Sequence, residues 1–89
     1  MSDPELEALR RHIDGLDQEL LALLAQRCRL AVDIGQHKAR QGRPIRDPQR
    51  EAELLDAREE QGASLELDPD FVRELFALIV SRSRAVQEP

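Results

Sequence analysis

Two cations stand where the pattern of the chain asks for apolar residues. Starting at Leu6 and stepping three or four positions, the sequence reads Leu9, Ile13, Leu16, Leu20, Leu24, Arg27, Ala31, Ile34, Lys38. That spacing marks one face of an amphipathic helix. A cation on a buried face is costly unless something anionic meets it. Lys38 is the single lysine beside twelve arginines. An arginine offers a rigid bidentate fork suited to carboxylates, and a lysine is a compact point charge. Eleven positions separate Arg27 from Lys38, about 16 Å along a helix, so their long side chains could bracket a small anionic ligand. The same residues also allow a plainer reading, in which both pair with acids such as Glu51 on a neighbouring helix.

Other polar residues fall at meaningful places. Arg10 precedes Arg27 by seventeen positions, about 25 Å of helix. The two cannot meet at one ligand within one chain unless the helix breaks, though an antiparallel partner helix could bring Arg10 in; the plainer reading makes Arg10 an exposed partner of Asp14 at i+4. Asp47, Arg50 and Glu51 occupy the start of a second helix, where backbone N–H groups lack partners. Asp47 is accounted for as a cap, whereas Arg50 opposes the helix dipole and needs another reason to be there. Ser83 and Gln87 are four apart and share a face near the end of a third helix. Cys28 has no histidine at hand and reads as a buried structural thiol. His12 and His37 lack metal-ligand spacing, and no glycine-rich phosphate loop occurs. Nothing here calls for a metal, a nucleotide, another cofactor or covalent catalysis.

The elements that must position these residues follow from caps and prolines. Ser2 or Asp3 caps a first helix with Pro4 in its first turn, and this helix runs over about 4–41 to a stop at Gly42 and Pro44. At 36 or so residues it would be about 54 Å long, too long for a compact domain of this size. Its apolar stripe is therefore expected to continue into a second copy of the chain. Asp47-Pro48 starts a second helix, about 48–61, which carries Leu54 and Leu55 and fades near Gly62. Asp68-Pro69 starts a third, about 69–87, with Phe71, Val72, Leu75, Phe76, Ile79 and Val80 on one broad face. No stretch has the pattern of a strand. The fold class is all-α, one long helix and two short ones, in a single domain over 1–89.

The net charge of −5 and the absence of Trp and Tyr argue against nucleic acid as the main partner. An anionic ligand would have to be held by local cations against the overall field. A lone cysteine allows no internal disulfide and fits a cytoplasmic setting. No apolar run reaches the length of a membrane span, and no signal peptide is visible.

The motifs LRxxIDxLDxxLLALLAxRxxLAxxIGxxK, RPIRDPQRE and FVxxLFxLIVxxSxxxQ, together covering nearly the whole chain, resemble the all-helical class of chorismate mutase. The likeness is strongest to the mutase domain of bifunctional mutase–prephenate dehydratases, with neither a dehydratase nor a dehydrogenase domain expected in these residues. The resemblance implies an intertwined homodimer with two equivalent sites. In it, Arg27 and the partner's Arg10 would bind the two carboxylates of chorismate. Lys38 would contact a carboxylate and the ether oxygen, and Gln87 would donate to that oxygen. Glu51 and the backbone at Asp47 would hold the ring hydroxyl, with Arg50 and Ser83 completing the lining. Two sister activities suit the same scaffold, isochorismate–pyruvate lyase and 4-amino-4-deoxychorismate mutase. A non-catalytic helical dimerisation module would explain the leucines and caps but not Arg27 and Lys38 inside the stripe.

Overall fold

The computed structural model describes residues 3–88. Three helices follow one another, α1 (Pro4–Arg40), α2 (Pro48–Ser64) and α3 (Pro69–Gln87), and no strand occurs among the described residues. The chain divides into two compact units, Met1–Leu30 and Ala31–Pro89.

The first unit is the opening part of α1. Asp3 Oδ1 accepts the Leu6 N–H at 3.1 Å, which satisfies one of the unpaired donors of the first turn; Ser2, the other candidate cap, lies outside the described residues. Leu6, Leu9, Ile13, Leu16, Leu20 and Leu24 are 40–58% exposed. Six large apolar side chains in one stripe are thus left about half uncovered by the chain itself, and completing the burial of each would be worth roughly half of the 1.5–3 kcal/mol of a full burial.

The second unit holds the closing turns of α1 together with α2 and α3. Gly42 ends α1 at φ +66°. The Arg43 N–H donates to Lys38 O at 2.8 Å and the Gly42 N–H to Ala39 O at 3.2 Å, the paired bonds of a Schellman stop. Asp47 caps α2, its Oδ1 accepting the Arg50 N–H at 3.1 Å, and Pro48 occupies a first-turn position where no N–H is needed. Asp68 and Pro69 open α3 in the same way, with the Asp70 N–H donating to Asp68 Oδ1 at 3.1 Å.

Helix α2 continues to Ser64 instead of fading at Gly62. The glycine is buried inside the helix, and a Cβ on it would stand 2.7 Å from Val72 Cγ2, so Gly62 lets α3 approach. The left-handed position that a glycine would normally take falls to Glu66, at φ 63°. Its N–H donates to Ala63 O, and the Leu67 N–H donates to Gly62 O, both at 3.0 Å. The core between these helices is small: Leu54, Val72 and Val80 are buried, together with Ala31 from α1. No helix among the described residues is long and apolar enough to cross a membrane.

Candidate functional site

Lys38 and Gln87 come together from opposite ends of the second unit. Lys38 lies in the last turn of α1, and Gln87 is the last residue of α3. The Lys38 ammonium donates to Ile45 O at 2.8 Å and to Gln87 Oε1 at 3.1 Å. These neutral oxygens hold the ammonium in place without cancelling its charge. Two of its three N–H groups are used, leaving one to offer a ligand. The same contact orients the amide: with Oε1 turned to the ammonium, the Gln87 NH₂ group keeps its two donors for something else. The plainer reading, in which Lys38 pairs with Glu51, does not describe this arrangement.

Gly35 makes the meeting possible. It is buried one turn before Lys38, and a Cβ built on it would lie 2.8 Å from Gln87 Cβ and 2.9 Å from Gln87 Cα. Real Cβ atoms do not approach so closely, so only a glycine lets the end of α3 lie flat on α1 here. By sequence alone a glycine at this place is only a weak point in a helix. Its signal was positional, a glycine on the buried stripe three residues from the only lysine.

Glu51 is occupied in a different way. Its side chain is only 19% exposed, with Arg84 Nε 2.8 Å from Oε1 and Arg46 Nε 3.9 Å from Oε2. Neither arginine was singled out from sequence. Arg84 could have been, because it immediately follows Ser83 and lies three residues before Gln87. The loop joins the two groups: Ile45, whose carbonyl takes the ammonium, is followed by Arg46, which leans toward Glu51.

The remaining candidates are placed as follows. Asp47 serves as the cap of α2, and Arg50 is exposed on the first turn. Ser83 is half-buried, and its Oγ donates to Ile79 O at 3.0 Å. Arg10 and Arg27 belong to the first unit, Arg10 exposed and Arg27 half-buried; the helix between them, about 25 Å long, keeps them apart within one chain. Among the described residues Arg10 makes no ion pair with Asp14. Cys28 is half-buried with a free thiol. A cleft of about 460 Å³, lined mainly by Val32, Gly35, Ala39, Ile45, Val86 and Gln87, opens on the other flank of Gln87. It reaches neither Lys38 nor Glu51, so it borders the polar cluster and is not the cluster itself.

Chemically, the second unit presents an uncompensated ammonium and an oriented amide donor side by side, linked through the adjacent residues Ile45 and Arg46 to a carboxylate carrying its own cations. That set can stabilise negative charge developing on a single ligand atom.

Comparison with known proteins shows the family. Residues 9–88 match the family model for chorismate mutase type II. Over 87 residues the chain is 42% identical to the bifunctional chorismate mutase/prephenate dehydratase of Escherichia coli K12, covering 98% of this chain and 22% of that protein. It is 30% identical to the chorismate mutase of Methanocaldococcus jannaschii, covering 94% of this chain and 85% of that one. A conserved hypothetical protein of Pyrococcus furiosus, of solved structure, superposes with a TM-score of 0.77 at 31% identity, covering 98% of this chain and all of that one. The chain thus spans about a fifth of the length of the bifunctional relatives and most of the length of the archaeal mutase. On its own residues and on these matches, the chain belongs to the chorismate mutase type II family.

Proposed function

We propose that the chain rearranges chorismate to prephenate, and that its site is completed by a second copy of itself. The observation that carries this reading is the Lys38–Gln87 contact of 3.1 Å. The rearrangement breaks a C–O bond and forms a C–C bond within one molecule, so it consumes no acid, base or nucleophile. The protein has two tasks: to hold the substrate folded in its reactive shape, and to favour the negative charge that grows on the ether oxygen. Bidentate arginines on the two carboxylates do the first, with Arg27 from one subunit and Arg10 from the other. The free N–H of Lys38 and the NH₂ of Gln87 do the second, already oriented before the substrate arrives. Glu51 and the backbone at Asp47 receive the ring hydroxyl, and Arg50 and Ser83 finish the polar wall.

The homodimer is supported by the uncovered stripe of the first unit, Leu6 to Leu24, since an antiparallel copy would bury it and carry Arg10 across the separation from Arg27. A cytoplasmic setting accompanies this reading. The test is the fall of chorismate absorbance on adding purified protein, with the product identified by chromatography. Saturable formation of prephenate is the expected result. A folded protein that leaves chorismate untouched, or that releases pyruvate from isochorismate instead, would refute the proposal.

A further inference from the structure

Asp47 uses its carboxylate to cap α2; Glu51, the other acid of the candidate site, is already matched by charge. Arg84 Nε sits 2.8 Å from its Oε1. This nitrogen is fully enclosed, yet no acceptor is aligned for a directed hydrogen bond. The contact is therefore one of charge with charge, closed to water at Nε itself, on an arginine side chain that is 35% exposed beside a glutamate that is 19% exposed. Arg46, at 3.9 Å and 64% exposed, is screened by solvent and adds little. A carboxylate accepts about four hydrogen bonds in all, so Glu51 keeps free lone pairs while its charge is offset.

We propose that Arg84 sets which substituent the site accepts on the substrate ring, selecting a neutral hydroxyl over an ammonium. The proposal rests on the reading above, in which Glu51 faces that substituent. A hydroxyl donates to the free lone pairs of Glu51 at no cost in charge. An ammonium brought to the same oxygens gains little from a carboxylate already neutralised, and it meets the Arg84 guanidinium a few ångströms on; like charges so placed are strongly discriminating. Without Arg84, Glu51 would be a half-buried, poorly matched anion and would favour the cationic substituent. Arg84 is thus a specificity-determining residue that acts through Glu51.

The experiment compares kcat/KM for chorismate with that for 4-amino-4-deoxychorismate at a pH where the amine is protonated. It uses the wild type, Arg84→Leu and Arg84→Lys. The wild type is expected to favour chorismate. Arg84→Leu is expected to lower that preference by about tenfold or more, chiefly through better use of the amine. Arg84→Lys, which keeps the charge, is expected to retain it. Arg84→Gln supplies the same comparison if the leucine variant does not fold. An unchanged ratio in the neutral variants overturns the role of Arg84 and leaves the mutase reading intact. A wild type that turns over neither substrate overturns both.

Discussion

Gly35→Ala is the substitution that most sharply separates positioning from folding. The added methyl would stand 2.8, 2.9 and 3.0 Å from Gln87 Cβ, Cα and Cγ, where ordinary carbon contacts need about 3.5–4.0 Å. Two of those atoms lie at the root of the side chain, so no rotamer change relieves the clash and the end of α3 has to retreat by about 0.7 Å or more. The Lys38–Gln87 contact, now 3.1 Å, would then pass beyond hydrogen-bonding distance. Overpacking of this kind costs about 1–3 kcal/mol, partly offset by the roughly 1 kcal/mol that alanine gains over glycine inside a helix. The fold is therefore expected to survive with a modest fall in Tm. Catalysis is expected to suffer more, with kcat down by about ten- to a hundredfold, because the oriented donor is displaced by most of an ångström. The assay is chorismate turnover in Gly35→Ala, Gln87→Ala and the double variant. Alanine at 87 keeps the Cα and Cβ that clash but has no amide, so the Tm change should recur in the double variant while the extra loss in kcat disappears. Wild-type kcat in Gly35→Ala, or an equal further loss in the Gln87→Ala background, would refute the reasoning.

Other outcomes follow from the same geometry. The Gln87 amide donates without gaining or losing a proton, so kcat/KM should vary by less than about threefold between about pH 6 and 8; a steep change with the assembly intact would contradict this. Mixing inactive Arg10→Ala and Lys38→Ala chains under exchange should restore roughly a quarter of wild-type activity, because each mixed dimer regains one complete site. No recovery, with mixed dimers confirmed by native mass spectrometry, would place Arg10 outside the site. Glu66→Gly should raise stability by about 1 kcal/mol in thermal or urea unfolding, because a glycine takes φ 63° without strain. A neutral or lower midpoint would mean that the glutamate side chain holds the turn.

The helices were legible because their boundaries are written in local chemistry. Asp47-Pro48 and Asp68-Pro69 cap and start helices as read, and Gly42 takes the left-handed stop it was expected to take. Where the reading slipped, the cause was a long-range contact. Gly62 reads as a stop until Val72 is seen against it, and Gly35 reads as a flaw until Gln87 is. The site was legible in part. Lys38 stood out because it broke an apolar pattern, whereas Arg84 and Arg46 were only two more arginines in a chain rich in them. What distinguishes Arg84 is the enclosure of its Nε beside Glu51, which depends on how α2 and α3 pack and leaves no trace in local spacing. The motif likeness supplied roles for Arg10, Arg50 and Ser83 that spacing alone could not assign.

The central claim is that catalysis rests on an ammonium held by neutral oxygens and left with charge to give. The most direct test is kcat/KM for chorismate in Lys38→Ala, with folding and assembly verified by circular dichroism and sedimentation. Losing one preorganised donor to a developing oxyanion costs about 10²–10³ in rate, and losing a full charge should cost at least that, making this the most damaging single change in the chain. A folded Lys38→Ala protein with kcat/KM near the wild-type value would contradict the account.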